Sequence, residues 1–419
     1  MGEIKATIYC LTYNHKEYIR DAMNGFLMQK TDFNFDIFIF DDASTDGTSD
    51  IVREYQEKYP DKVRAFVSPV NTFGKPERFV ILQKLYKQYI DGKYVAWCEA
   101  DDVWTDSKKL QIQVEFLENN PECVMTTHSF DILDCTDDSV YTKTFGEGSR
   151  YLSNEEIVLQ PNGNLATASL VMRRDVFVME GFPQCNITDY PMQLCAISKG
   201  RIYYMGRNMC MYRYMHAGSW CSDVYADEYK RMLHNWEMVS FLDRYDGYTE
   251  NRFHKLLYQR KVNYLNDNIF AGQEHFTIQE YKEMCEMASE KNSEGKKYVE
   301  AQINIFSYLK GELKYSQDEI KRINKFKHRV IMGHGKFAGY VKREFELNKL
   351  EYDGYVVTKL NNDDKDNKDI WELGSYPYEK RDTLVVIGIS QINSENNIIL
   401  SLVNNDFRNI MTPLWIKID

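Results

Sequence analysis

The sequence predicts an α/β protein: a mostly parallel sheet with helices on both faces, a helical middle region, and a second small α/β domain of Rossmann-like form. Three observations carry this. Over residues 4 to about 120, β-rich segments alternate four times with segments of helical spacing, the pattern of βαβ units. Acidic and hydroxyl residues recur where the apolar strands end. After Lys327 the order strand, glycine turn, helix returns.

Taken in order, Ile4 to Leu11 alternate and are β-rich, so they predict a first strand, and Thr12-Tyr13-Asn14-His15 turns the chain. Ile19, Met23 and Phe26 share one face of the helix that follows, with Asn14 in place to cap it. Phe35 to Phe40 predict a second strand ending in Asp41-Asp42-Ala43-Ser44-Thr45-Asp46-Gly47-Thr48, before a helix carrying Ile51, Tyr55 and Tyr59. Val63 to Val67 predict a third, and a helix follows with Pro76 in its first turn and Phe79, Leu82, Tyr86 and Tyr89 on one side. The fourth, Tyr94-Val95-Ala96-Trp97-Cys98, runs into Glu99-Ala100-Asp101-Asp102-Val103-Trp104. In open α/β sheets, ligands lie outside the carboxyl ends of the strands. Thr12 to Asn14, Asp41-Asp42 and Asp101-Asp102 therefore fall on one edge as one candidate site. By itself each acidic stretch reads equally as a helix cap.

Composition narrows the function. With 43% apolar and 14% aromatic residues the chain has ample material for real cores. Its formal net charge of -11 argues against a nucleic-acid partner held by a global basic field. The longest apolar stretches are strand-sized, short of the ~20 residues that span a bilayer, and Met1 to Lys5 carry no signal-peptide core, so the expected location is the cytoplasm. Nine scattered cysteines with no C-x-x-C pair give neither a zinc site nor a disulfide framework. The first turn, Leu11-Thr12-Tyr13-Asn14, holds no glycine, which excludes the Gly-rich triphosphate loop of nucleotidyltransferases and the Gly-x-Gly-x-x-Gly turn of NAD enzymes. What remains is an acidic site for a nucleoside, with a hard divalent cation for a diphosphate.

Cys10-Leu11-Thr12-Tyr13-Asn14, Phe40 to Thr48 and Glu99 to Trp104, in that order and at those spacings, make residues 6 to about 222 resemble a family 2 glycosyltransferase of the GT-A fold. These are inverting enzymes that use nucleotide-diphosphate sugars. The resemblance implies that Thr12 and Tyr13, with Asn14 beside them, line the nucleotide pocket. It places Asp41 or Asp42 at the base, Asp101 near the ribose and Asp102 on Mn²⁺ or Mg²⁺, leaving Glu99 to orient the loop. Ala43 stands where glycine is frequent in the family, which is tolerable unless that position needs a positive φ. Asp189, opening a helix after Ile187-Thr188, falls where the family places its general base; alone it would read as a helix cap. One base suffices when an acceptor hydroxyl displaces the diphosphate directly. Tyr212 to Trp220 resemble the family's basic, His-containing segment, in which His216 joins the metal and Arg213 or a flanking hydroxyl holds phosphate.

The expected domains are 1–222, a helical region over 223–325, and 326–419. In the middle region Met232, Trp236, Val239 and Leu242, then Leu256, Val262 and Leu265, follow helical spacing. Their apolar faces leave three uses open: packing on the first domain, a contact between copies of the chain, or a peripheral contact with the inner face of a membrane. In the last domain, His328 to Met332, Asp353 to Thr358 and Asp382 to Ile389 predict strands, with helices to about Asn348 and from about Ser394 to Val403. The turn Gly333 to Gly339 can seat a phosphate or simply allow close packing. Thr358-Lys359-Leu360 offers no acid for a ribose, which argues against NAD. The region resembles Rossmann-like domains appended to some bacterial sugar transferases and sugar acetyltransferases. The leading expectation is inverting transfer from a nucleotide-diphosphate sugar, a UDP-sugar first, to a glycan or lipid-linked acceptor in surface polysaccharide synthesis. The competing one is a nucleotide-sensing or assembly module whose first domain is scaffold.

Overall fold

Near-continuous apolar runs in the first half build a central sheet, because parallel strands buried on both faces leave no polar side to alternate with. The computed structural model describes residues 3–75, 77–160, 164–185, 188–271, 276–288, 296, 299–300, 302–304, 306–307, 310, 315–333, 336–360, 367–388, 398–399 and 401–411. The chain divides into two units, Met1–Tyr264 and Leu265–Asp419.

In the first unit the strands are β1 (Ile4–Thr12), β2 (Asn34–Asp41), β3 (Val63–Val67), β4 (Tyr94–Trp97), β5 (Val103–Trp104), β6 (Cys123–Asp134), β7 (Ser139–Lys143), β8 (Arg150–Tyr151), β9 (Val171–Arg173) and β10 (Arg201–Tyr214). They form one sheet in the order β3-β2-β1-β4-β9-β6-β10-β5, with β7 on β6 and β8 on β10. β1 pairs in parallel with β2 and β4, and β2 with β3. β9 runs antiparallel to both β4 and β6, while β6 and β10 are parallel. Two reversals restore direction, so β1, β2, β4 and β10 all end on the same edge.

The helices are α1 (Ile19–Leu27), α2 (Thr48–Lys58), α3 (Arg78–Tyr89), α4 (Lys109–Asn119), α5 (Asn154–Leu159), α6 (Arg174–Val178), α7 (Asp189–Lys199), α8 (Trp220–Ala226), α9 (Glu228–Tyr248) and α10 (His254–Ala271). α1 buries Ile19, Met23 and Phe26, the stripe its spacing predicts. Its N-cap is Tyr18, with no side-chain cap, so Asn14 does not cap it. α3 starts at Arg78, and Pro76 lies outside the described residues. The turn before β4 rests on Gly92, where an added Cβ would meet the backbone N of Thr7 at 2.5 Å.

α9 buries Met232, Val239 and Leu242, and Trp236 is half-buried. On α10 the buried face is Leu257, Lys261, Tyr264 and Leu265, so the predicted Leu265 is buried while the predicted Leu256 and Val262 are half-buried. Leu256 and Leu257 are adjacent, and a 3.6-residue period cannot tell which of two neighbouring leucines faces inward. Among the described residues no helix is long and apolar enough to cross a membrane.

The second unit holds β11 (His328–Met332), β12 (Gly354–Val357), β13 (Ile370–Glu372), β14 (Thr383–Ile387) and β15 (Asn409–Met411). All pair in parallel in the order β13-β12-β11-β14-β15. The first strand sits at the centre and the chain winds out both ways, as in doubly wound nucleotide-type folds. Val330, Met332, Val356, Leu373, Val385, Leu402 and Phe407 make its core. The three expected strands are present. The two edge strands, three residues each, escape the periodicity argument because a strand that short holds no repeat. A helix runs over Lys336–Leu347; His334, Gly335 and 389–397 lie outside the described residues, and with them part of the glycine turn, the last residue of the third predicted strand and the start of the last predicted helix.

Candidate active site

The site stands on the edge where β1, β2, β4 and β10 end. Beyond β1, Thr12 is fully buried and its hydroxyl has no hydrogen-bond partner, while Tyr13 is 42% exposed. Asn14 takes a left-handed backbone, φ 57, a conformation its short polar side chain tolerates. Its N–H donates to Ser44 Oγ at 2.9 Å and its Oδ1 accepts from the Thr45 N–H at 2.8 Å. Asn14 thus ties the loop after β1 to the loop after β2.

The carboxylates after β2 are engaged with the protein. Asp41 accepts from the Ser44 N–H and Oγ at 2.9 and 2.7 Å and, through its other oxygen, from Ser49 Oγ. Asp42 accepts from the N–H and hydroxyl of Thr72, both at 2.8 Å, and pairs with Arg78 Nη1 at 2.7 Å. Each oxygen of both residues has a protein donor, so these two acids lock the loop after β2. Ala43, directly after them, has φ 65. The position does need a positive φ, so the alanine is strained there, by about 1–2 kcal/mol on general grounds. Glycine loses roughly 0.5–1 kcal/mol more backbone entropy on folding. Ala43→Gly is therefore expected to raise stability by about 0.5 kcal/mol, read as a small increase in the urea midpoint with unchanged slope.

The loop after β4 crosses the sheet edge: Ala100 N–H donates to the Leu11 carbonyl at 3.0 Å, and β5 then pairs with β10 at Cys210 and Met211. This crossing sets Asp101 and Asp102, both buried, against the end of β10. Asp101 Oδ2 lies 2.8 Å from His216 Nε2 and 3.7 Å from His15 Nε2. The structure therefore brings His216 to Asp101, where the resemblance implied that His216 joins Asp102 on the metal. Burial pushes the Asp101 carboxyl up, but His15 and His216 outweigh it and hold it below the ordinary range. Burial likewise lowers His216, and its hydrogen bond to Asp101 reverses the sign and leaves it raised. Asp102 goes the other way: burial first, then the Asp101 charge, push it well above the ordinary range. Its Oδ1 accepts from the Arg213 N–H at 3.0 Å, and its buried Oδ2 has no partner.

Arg213 does not face solvent as a phosphate clamp. Nη1 donates to the Asp101 carbonyl at 2.6 Å, Nη2 to Asp21 at 2.7 Å, and the guanidinium lies 5.0 Å from the Tyr18 ring centre. It braces the acidic loop against α1.

Asp189 opens α7, and the N-cap is Thr188, so Asp189 is not the cap it could have been. Its Oδ1 is buried without a hydrogen-bond partner, and burial raises its pKa despite N–H donation from Tyr190 and its own backbone. Its charge is felt by Glu99, whose carboxyl is pushed up to about 8 by burial, then by Asp101 and Asp189, against the pull of Arg78. Glu99 thus connects the β4 loop electrostatically with the start of α7, beyond orienting a loop. A carboxylate with a raised pKa and one unpartnered oxygen can take a proton from a nearby hydroxyl.

Sequence reasoning missed His15 and Arg78. His15 directly follows the first motif, but a lone histidine in a turn carries no signal of what it meets. Arg78 reads as an ordinary first-turn residue of α3. The remaining fit concerns the cation. Asp101 Oδ1 and Asp102 Oδ2 are buried and unpartnered, and one ligand atom each of His15, Asp101 and His216 lies within 4.8 Å of the others, donors that suit a divalent ion.

The family model for glycosyl transferase family 2 matches residues 7–178. An uncharacterised protein of Mycobacterium tuberculosis is 31% identical over 226 residues, 54% of this chain and 62% of that protein. An uncharacterised glycosyltransferase of Nostoc is 27% identical over 219 residues, 50% of this chain and 65% of its own length. The chain thus spans less than two thirds of the curated relatives it matches. Staphylococcus aureus TarS residues 1–349, solved with UDP-GlcNAc, aligns over 78% of this chain and 93% of that one at 17% identity, with a TM-score of 0.44. The matched segment contains β1, β2 and β4 and every acid of the site but Asp189, so it is over residues 7–178, where the site is built, that this chain is similar to glycosyl transferase family 2.

Proposed function

We propose that this protein transfers a sugar from a nucleotide-diphosphate donor, a UDP-sugar first, to a hydroxyl of a glycan or lipid-linked acceptor, with inversion at the anomeric carbon. The observation that carries the reading is Asp189: a raised carboxylate with an unpartnered oxygen, electrostatically linked through Glu99 to the Asp101–Asp102 loop. In this reading the nucleoside sits on Thr12, Tyr13 and the Asn14-braced loop, and Asp101 and Asp102 face the diphosphate end. Asp189 accepts the proton of the attacking hydroxyl as the new glycosidic bond forms and the bond to the diphosphate breaks. Asp101, Asp102 and His216 are the residues that would hold a Mn²⁺ or Mg²⁺ ion, which when bound would supply Lewis-acid stabilisation of the departing diphosphate and remove the need for a second acid.

Relatives support the setting. TarS of Staphylococcus aureus, 27% identical over 125 residues, is a poly(ribitol-phosphate) β-N-acetylglucosaminyltransferase, and a dTDP-rhamnosyl transferase of Shigella flexneri is 31% identical over 114. Both names suit surface polysaccharide synthesis, which for this chain implies work at the cytoplasmic side, with acceptor delivery at the membrane face. The proposed domains are 1–222 for catalysis, 223–325 as helical support and 326–419 as an appended α/β domain. Calorimetry with UDP, with and without Mn²⁺, is the first test: binding that strengthens with the cation is expected. A panel of nucleotide sugars, followed by release of free UDP, then names the donor. UDP binding confined to the 326–419 region, with none on the first unit, overturns the transferase reading.

A further inference from the structure

We propose that Trp220, His234, Tyr264 and Arg260 form an acceptor subsite beside Asp189 for a sugar that carries an anionic group, a phosphate or a carboxylate. Trp220 and His234 take the ring and its hydroxyls, and Arg260 takes the charge. The inference deepens the transferase reading and rests on it for calling the bound sugar an acceptor. The four residues come from α8, α9 and α10, all within the first unit and all outside the segment the family model matches. They form one continuous line. The Trp220 and His234 rings meet at 4.9 Å and 73°, His234 stands 6.3 Å from Tyr264, and the Arg260 guanidinium lies 4.4 Å from the Tyr264 ring centre. The line ends at α7, where the same guanidinium is 5.7 Å from the ring centre of Tyr190, the neighbour of Asp189. Burial first, with the Asp189 charge among the lesser causes, raises the Tyr264 hydroxyl and the thiol of Cys221, which directly follows Trp220.

Arg260 calls for an anion. It is half-buried, its Nε is buried without a hydrogen-bond partner, and among the described residues no carboxylate pairs with it. Nη1 donates to the Leu159 carbonyl at 3.3 Å, and Nη2 to Gln160 Oε1 at 3.5 Å and to the Tyr264 hydroxyl at 3.1 Å. All three acceptors are neutral, and the first two bonds are long for N–H donors. A charge withdrawn from water without a counter-charge is costly, and the guanidinium fork matches two oxygens of a carboxylate or phosphate. The uncharged part of the ligand meets different chemistry. Burial, then the Arg260 charge, push His234 down to about 4, so at neutral pH its ring is uncharged. A neutral imidazole offers one donor and one acceptor, as a sugar hydroxyl does, and the buried Nδ1 has no hydrogen-bond partner among the described residues. Trp220 is 37% exposed and presents an apolar ring beside that imidazole.

The test is a titration of the metal-free full chain, without nucleotide, with methyl glucoside, glucuronate, glucose 6-phosphate and inorganic phosphate, followed by saturation-transfer NMR. At least one charged sugar should bind about tenfold or more tightly than methyl glucoside, the contribution of charge-assisted hydrogen bonds to a guanidinium. The tighter of glucuronate and glucose 6-phosphate tells a carboxylate from a phosphate. Inorganic phosphate should bind at least about threefold more weakly than the preferred charged sugar, because it has no ring to lay on Trp220. Arg260→Gln should bring the charged sugars to the level of methyl glucoside and keep methyl glucoside within about twofold, a selective loss that misfolding does not mimic. Arg260→Lys should retain part of the preference, and Trp220→Ala should weaken all three sugars by about threefold. Equal affinity of charged and neutral sugars in the unaltered chain overturns the proposal, as does failure of both charged sugars to bind. An equal loss for every sugar in Arg260→Gln also overturns it, as does inorganic phosphate binding as tightly as the preferred charged sugar. If the charged sugar binds as expected but no UDP-sugar is bound or turned over, the anionic-sugar site stands and the transferase reading fails. If a UDP-sugar is turned over onto acceptors with no preference for charge, the subsite fails and the transferase reading stands.

Discussion

Asp189→Asn is expected to slow sugar transfer by about 10²–10⁴-fold, the span that one positioned general base contributes. The substitution keeps size and the backbone contacts at the start of α7 but removes the proton acceptor. Affinity for the donor should stay within about twofold, because the nucleotide side of the site is built from the β1, β2 and β4 loops, so the loss falls in kcat rather than KM. The pH profile provides an independent check. Burial raises the Asp189 pKa, so at a given acidic pH more of it is protonated than for an ordinary aspartate. Activity requires the ionised form and is lost as pH falls through that raised value. The acid limb of the kcat profile should therefore lie above the ordinary aspartate range and vanish in Asp189→Asn. A near-wild-type rate in the variant rules out Asp189 as the base.

Arg78→Met is expected to cost about 3–5 kcal/mol of stability, the range found when one partner of a buried ion pair is removed. Arg78 and Asp42 have side chains 6% and 3% exposed, and their pair is held at 2.7 Å. Arg78 Nη1 also donates to Thr72 Oγ1 at 3.0 Å, and the guanidinium lies 5.3 Å from the Phe73 ring centre. Removing it leaves the Asp42 carboxylate buried with only the two Thr72 donors. A fall in Tm of about 10 °C follows for a unit of this size. The double variant Arg78→Met, Asp42→Asn should recover more than half of the loss, because it removes the stranded charge as well as its partner. Equal stability in the single and double variants would assign the cost to packing instead.

Much of the fold is legible in the chain because each signal is local. β1 to β4 are short apolar runs between turn residues, and α1 and α2 carry their stripes openly. The convergence of Thr12, Asp41 and Asp101 follows from alternation alone, since parallel strands joined by helices must end together. The start of α7 at Asp189 is legible in the same way. The Leu256 and Leu257 ambiguity on α10 marks where a periodic argument loses resolution.

Other features depend on which strands become neighbours. Asp42 and Arg78 are 36 positions apart, and Asp101 and His216 are 115 apart. No propensity or spacing rule reaches so far. The sheet order puts β10 across from the β4 loop, and that neighbourhood gives His216 to Asp101, Arg213 to Asp21, and His15 its place beside both. The sequence by itself determines an α/β protein with acids gathered at one sheet edge and a carboxylate opening the later helix, because strand, turn and cap chemistry act over a few residues. Only the tertiary structure decides which acids are locked into the loop and which keep free oxygens, because hydrogen-bond partners and burial are set by residues the fold brings together from distant parts of the chain.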